Sequence, residues 1–308
     1  MITRSKLFSL LSSSVTESTD HRYRHQRIII YANKLNEFIA ELTLYVQKAH
    51  EDAKQHLRKV LGNSLDPLAS SIEVDPTEGY PQLFDMNTLK GYFGEIFAGL
   101  IAEHCSPFGE DNWKVPAFLF RFHLVEFQQL EQLRQTTGGK AHRNLGRTGD
   151  DCLAFQMNGK GQITRSLYCE AKCTSDHDPH LISDAHEKVS KSVLVDIPRV
   201  IEVLQDSTDP DAPKWIDALR QLRLRSIPEY ERCDLVSYVC RRPGPRERWA
   251  RLPTDRPHPK YSASRRLEAV EVQLPDVESI IREVYGIKDL TEVLLLEVPT
   301  NEDNNKDT

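Results

Sequence analysis

The sequence predicts an α/β protein with a helical N-terminal region, and three observations carry that reading. An apolar stripe at helical spacing runs from Leu35 to Leu61. A strand–turn–strand unit surrounds Asn158–Gly161, and short apolar strands then alternate with helix-patterned segments. The 308 residues, 39% hydrophobic and 28% charged, suffice for a buried core and exclude collagen-like, disulfide-scaffold and mostly disordered chains. No stretch approaches the roughly 20 apolar residues of a membrane span. The apolar run Leu7–Leu11 is too short for a secretory core, so a cytoplasmic protein is expected. With 40 Lys and Arg against 46 Asp and Glu, the net charge is −6. That excludes a uniformly basic nucleic-acid binder and leaves polyanion contact to local patches.

The elements follow in chain order. Residues 1–25 are polar, with Ser12–Ser14 and a basic cluster over His21–His25, and are expected to form a mobile arm or docking segment. Residues 26–85 form the helical region and its connector. Leu35, Phe38, Ile39, Leu42, Val46, Ala49, Ala53, Leu57, Val60 and Leu61 recur at three and four, the spacing of one helix face, and Gly62 is a C-terminal stop. This long helix and the arm are the candidates for partner docking. Residues 63–85 read as a Pro/Gly/Asp-rich connector. A second helix is expected over Asn87–His104. Its Gly91, Gly94 and Gly99 are poor helix formers, so something approaches it closely, either a backbone or a ligand. Residues 116–135 fit both strand and helix.

Asp151–Met157 and Gln162–Lys172 read as two strands joined at Asn158-Gly159-Lys160-Gly161, residues that accept the positive φ of a tight turn. Leu181–Gln205 has a helix pattern interrupted near Pro198, and residues 206–213 read as a linker. Leu235–Val239 is a short apolar strand, Leu267–Val272 a roughly alternating one, Asp276–Tyr285 a helix and Val293–Val298 a last strand. Residues 301–308 are a polar tail expected to be disordered. The six cysteines lack any C-x-x-C pair and read as reduced thiols. Cys169, Cys173, His177 and His180 form a C-x3-C-x3-H-x2-H run, but without the tight knuckle zinc is not assigned there.

The informative chemistry lies in Tyr168-Cys169-Glu170-Ala171-Lys172. Strand side chains alternate, so Glu170 and Lys172 face one way, about 7 Å apart, and Cys169, Ala171 and Cys173 face the core. A two-residue turn at Asn158-Gly159 or Gly159-Lys160 sets Asp151 across from Ser166 or Tyr168, on the Glu170 and Lys172 face. A loop with an odd number of residues selects Asp150 instead. Two carboxylates suit a hard cation such as Mg²⁺ or Mn²⁺, which polarises a phosphodiester and acidifies an attacking water. A lysine beside them can position that water or stabilise transition-state charge. Glu95, on the glycine-rich helix, is the candidate for completing the metal shell or orienting its water.

Taken together, the helix bearing Glu95, then Gly149-Asp150-Asp151-Cys152-Leu153, then Leu167–Lys172, then a helix, resembles the PD-(D/E)xK nuclease superfamily. The resemblance implies a restriction-endonuclease-like core, a mixed central sheet flanked by helices, over residues 86–300. It implies metal-dependent hydrolysis of DNA, with metal on Asp151, Glu170 and Glu95 and with Lys172 assisting. The usual Pro-Asp is absent, and Asp150–Asp151 leaves both aspartates as candidates. More narrowly, Lys90-Gly91-Tyr92-Phe93-Gly94-Glu95, Gly149–Leu153, Tyr168–Lys172 and the stretch around Tyr261–Tyr285 resemble the HamA family, nuclease subunits of Hachiman antiphage defence systems. That resemblance implies cleavage without sequence specificity and a superfamily 2 helicase partner of the HamB kind.

Local charge agrees with a phosphate-contacting protein. Residues 134–172 carry a net of 7 − 3 = +4, and residues 241–266, a proline-punctuated loop, 9 − 2 = +7. Lys140, Arg143, Arg147, Lys188, Lys191, Arg246 and Arg248 are the candidate phosphate contacts, and Trp249 a candidate for stacking on an unpaired base. A non-catalytic adaptor that binds DNA or a helicase, and an RNA-directed nuclease, are the competing readings. There is no P-loop and no G-x-S-x-G elbow.

Overall fold

The computed structural model of the chain describes residues 3–62, 75, 77–119, 151–192, 197–224 and 230–287. A six-stranded sheet organises it, in the order β1-β2-β6-β5-β4-β3. The strands are β1 (Leu11–Glu17), β2 (Tyr23–Ile30), β3 (Cys152–Met157), β4 (Ile163–Cys173), β5 (Glu231–Arg241) and β6 (Leu267–Leu274). The four central strands β2, β6, β5 and β4 are parallel to one another. Both edge strands, β1 and β3, pair antiparallel. The chain is therefore α/β with a mixed sheet flanked by helices, as the sequence predicts.

The helices are α1 (Arg4–Leu10), α2 (Leu35–Gly62), α3 (Met86–His104), α4 (Pro179–Lys191), α5 (Ile197–Gln205), α6 (Ala212–Leu224) and α7 (Val277–Tyr285). Aspartates start three of them. Asp85 accepts from the Asn87 and Thr88 amides, Asp178 from His180 and Asp276 from Ser279, each satisfying helix donors that lack an internal partner. Gly286, at φ 66°, closes α7.

One face of the sheet is covered by α1, α2, α3 and α7, over Ile28, Leu167, Cys169, Leu235, Val270 and Val272. The opposite face has two cores. Leu153, Phe155 and Tyr168 pack under α5 and α6. Val236, Tyr238, Leu267 and Ala269 pack under α4 together with Leu252 and Tyr261 of the long loop between β5 and β6. Glu170 and Lys172 emerge where these two cores meet.

Several expectations are corrected here. Residues 3–25 are no mobile arm: Thr3 caps α1, Leu7 and Leu10 are buried, and β1 and the start of β2 follow directly. The cause is the β-branched run Ile28-Ile29-Ile30, which makes β2 an interior strand between β1 and β6. The apolar stripe of α2 up to Ala53 is likewise spent within the fold. Phe38, Ile39, Leu42, Val46, Ala49 and Ala53 belong to the core under α3 and α7, so no docking partner is needed to cover them. Leu181–Gln205 is two helices, broken after Lys191, with Pro198 in the first turn of the second. Beyond the linker lies a further helix, α6, that the sequence reading did not assign. β6 is buried on both faces rather than alternating, as an interior parallel strand is. Two of the three glycines of α3 are closely approached: a Cβ on Gly94 would lie 3.3 Å from the Cys173 Cβ of β4, as the expected backbone approach requires, and one on Gly99 only 2.5 Å from the Phe118 ring, a side chain rather than a backbone. Residues 120–150 and 288–308, including the expected strand Val293–Val298 and the tail, lie outside the described residues.

Candidate active site

The hairpin sets the geometry. Its turn is longer than two residues: Asn158 N–H donates to the Gln162 carbonyl (2.9 Å), Gly161 N–H to the Asn158 carbonyl (3.0 Å), and Met157 pairs with Ile163. Five intervening residues are an odd number, which by itself selects Asp150. A register shift between Gln156 and Met157 reverses that parity, and Cys152 pairs with Cys169. One step further, Asp151 stands opposite Glu170. The two-residue turn and the Ser166 or Tyr168 partner are thus corrected, yet Asp151 keeps the expected face. Asp150 lies outside the described residues.

At this point β3 ends and β4 runs on. Asp151 Oδ2 accepts a hydrogen bond from the Ala171 amide at 2.8 Å. Lys172 Nζ donates to Glu170 Oε1 at 2.7 Å, and Lys188 Nζ reaches Glu170 Oε2 at 2.6 Å and Asp151 Oδ1 at 3.6 Å. The cluster is therefore two carboxylates and two ammonium groups. The Glu170 side chain is 3% exposed, and Lys172 and Lys188 are 24% and 38% exposed, so one side of the cluster is wet. Burial first, and then the Asp151 charge, push the Glu170 carboxyl up to about 7, against the pull of Lys172 and Lys188.

Lys188 reaches the cluster because α4 is held at its C-terminal end. Ile182, Ala185 and Val189 are its buried face, and Lys188 flanks it. Arg265 donates to the Val189 and Ser190 carbonyls (3.0 and 3.1 Å), filling acceptors that a helix end leaves open. Arg265 is itself anchored on buried Asp234 at 2.8 Å, which also accepts from the Tyr261 hydroxyl at 2.8 Å. Lys188 was expected to meet phosphate; its place against Glu170 could be suspected only from the helical phase that puts it beside Ala185 and Val189.

Glu95 is the remaining acid of the expected set. It is 2% exposed on α3, the helix on the other face of the sheet, where Gly94 meets Ala171 and Cys173. Its influence is felt at Cys152: a Cys169 hydrogen bond and burial push that thiol up, and Glu103 and Glu95 add to it. Among the described residues no three Asp, Glu, His or Cys side chains come together as a metal-binding group. Two carboxylates of the expected shell, Asp151 and Glu170, share Lys188. That pair does suit a hard cation: its donors are oxygens, and the protein already satisfies Glu170 with two cationic groups. The Cys169, Cys173, His177 and His180 run does not converge either, since Cys169 is buried beneath α3 and His180 is exposed.

Of the candidate phosphate contacts, Lys140, Arg143 and Arg147 lie outside the described residues. Lys191 pairs with Glu187, and Arg246 and Arg248 are exposed on the long loop. The sequence reading missed the buried acids of the sheet. Asp234, Glu268 and Glu271 are fully buried, and burial, opposed chiefly by Arg24, pushes Glu268 up to about 7. Their only signal was an acid within an otherwise apolar strand. Among the described residues no helix is long and apolar enough to cross a membrane. No protein-family model matches this sequence, and no curated protein is significantly similar to it.

Proposed function

We propose that this chain is a metal-dependent phosphodiesterase acting on nucleic acid, with a restriction-endonuclease-like core. More particularly, we read it as a HamA-like DNA nuclease, the effector subunit of a helicase-coupled antiphage defence system. The observation that carries the first step is the Asp151–Glu170–Lys172–Lys188 cluster, in which a buried carboxylate beside a second carboxylate is met by two lysines. An ordinary surface Glu–Lys pair needs neither the burial nor the second acid. The second step rests on the sequence resemblance.

Asp151 and Glu170 would hold Mg²⁺ or Mn²⁺, which when bound acidifies water and polarises the phosphodiester. The chain's own residues do the rest. Asp151 is oriented by the Ala171 amide, so its second oxygen is free to turn toward Lys188. Lys172, one hydrogen bond from Glu170 and partly exposed, can donate to phosphoryl oxygens as negative charge builds on them. Lys188 balances the charge of the two acids. Backbone phosphate contacts carry no sequence information, in keeping with cleavage that is not sequence specific.

Plasmid cleavage with Mg²⁺ or Mn²⁺ tests this, comparing wild type, Glu170→Ala/Lys172→Ala and EDTA, with and without a co-encoded helicase. Loss of supercoiled DNA that needs the metal and vanishes in the double variant is the expected result. A free nonspecific nuclease would poison its host, so cleavage by the chain alone is expected to be weak. DNA or helicase binding without cleavage under every condition identifies an adaptor, and cleavage of RNA but not DNA an RNA nuclease.

A further inference from the structure

The long loop between β5 and β6 walls a cavity of about 850 Å³ against the start of α4. Its size is that of a pocket for a nucleotide-sized ligand. Among its lining residues are His177, Glu247, Arg248, Trp249, Arg251 and His258. This is a built site rather than a loose basic loop. Buried Glu271 accepts from the Arg251 and Leu252 amides at 2.7 and 2.8 Å. Gln273 and Arg27 donate to the Trp249 carbonyl at 2.7 and 3.3 Å. The Tyr23 hydroxyl holds the Pro253 carbonyl. Five contacts from two strands, β2 and β6, thus fix the backbone that presents the lining.

The lining combines two chemistries. Trp249 is 52% exposed, and the Arg27 guanidinium lies 4.3 Å over its ring. Arg251 has a side chain only 7% exposed; one end pairs with Glu247, and its Nε has no hydrogen-bond partner among the described residues. Arg248 and Arg251 both line the cavity, and guanidinium groups pair with phosphate oxygens through charge-assisted hydrogen bonds. An indole beside guanidinium groups is the combination that stacks a base and holds its phosphate. A base in a duplex is stacked between its neighbours and cannot enter such a cavity, whereas an unpaired base can.

We propose that this cavity seats an unpaired nucleotide of a nucleic-acid strand, its base against Trp249 and its phosphate on Arg251 and Arg248. Ile182 of α4 is part of the same wall, and Lys188 lies about 9 Å further along that helix at 1.5 Å per residue. One strand leaving the cavity along α4 therefore reaches the carboxylate cluster. This rests on the nuclease reading and sharpens it: the substrate carries a single-stranded segment beside the bond that is cut.

The test uses the full-length Glu170→Gln chain, so that cleavage does not consume the probe. The probes are a short fluorescein-labelled single-stranded oligonucleotide, its duplex and thymidine monophosphate, read by anisotropy and tryptophan quenching. The single strand is expected to bind at least about ten-fold tighter than the duplex. Trp249→Ala is expected to weaken it by about ten-fold, with Trp249→Phe restoring most of the binding. Trp249 is half exposed, so its loss spares the fold, and circular dichroism of each variant verifies this. Equal binding of strand and duplex, or no effect of Trp249→Ala, overturns the proposal, and so does binding of the mononucleotide with exclusion of the strand. Plasmid cleavage by wild type is scored separately. Cleavage with no strand preference sinks the cavity assignment alone, and strand binding through Trp249 with no cleavage sinks the nuclease reading alone.

Discussion

At Glu170, burial and a neighbouring carboxylate act in the same direction, and both favour the protonated acid. A carboxyl raised in the folded state to about 7 binds its proton more tightly there than in the unfolded chain. The stability this contributes is complete below pH 4.5 and is lost as pH rises through about 7. Above that, the folded protein carries an unfavourable buried charge. Glutamine keeps the shape of the neutral acid and removes that charge. In EDTA, Glu170→Gln is therefore expected to stabilise the protein at pH 8 by on the order of 1–3 kcal/mol, since each pKa unit is worth about 1.4 kcal/mol. The gain should disappear near pH 4. Urea denaturation at the two pH values measures it, and a variant less stable than wild type at pH 8 would contradict the account. The shared face of Glu170 and Lys172 was legible in the sequence because strand side chains alternate. Their electrostatics were not, because burial depends on where α4, α5 and α6 settle.

At the scale of elements, α4 delivers a second cation to an acid on another strand. Lys188→Met removes one of the two charges that pull the Glu170 pKa down. Glu170 is then expected to titrate at higher pH than in wild type, as read from the carbon-13 shift of its carboxyl in an NMR titration. An unchanged or lower midpoint would show that Lys188 does not govern this acid. The hairpin shows why Asp151 could be predicted while its partner could not. The sequence marks a turn at Asn158–Gly161 but does not mark the register shift between Gln156 and Met157. Two errors of parity, an uneven loop and the irregularity beside it, cancel. The helix that carries Glu95 was correctly placed in the sequence, but a helix rotates freely about its axis until it packs. That Gly94, which has no Cβ, is the residue set against Ala171 and Cys173 could not be read from the sequence.

Across the whole molecule, the N-terminal strands are structural rather than accessory. β2 closes the edge of β6, and Arg24 pairs at 2.6 Å with fully buried Glu268. A chain beginning at Ala32 loses two strands and leaves that acid without its cation, a change that costs about 3–5 kcal/mol for a buried pair. Such a truncation is expected to be insoluble or unfolded by circular dichroism, whereas removal of a mobile arm would leave the melting curve intact. The parallel core was not foreseeable at β2 because its partner is so distant in sequence. Arg24 and Glu268 stand 244 positions apart. This arrangement has a consequence for biosynthesis. A ribosome adds roughly 5–20 residues per second, so β2 waits on the order of ten seconds or more before its neighbour exists. Pairings of such high contact order also form slowly once the chain is complete. During that interval the isoleucines of β2 are an open edge, the kind of surface on which nascent chains pair with one another.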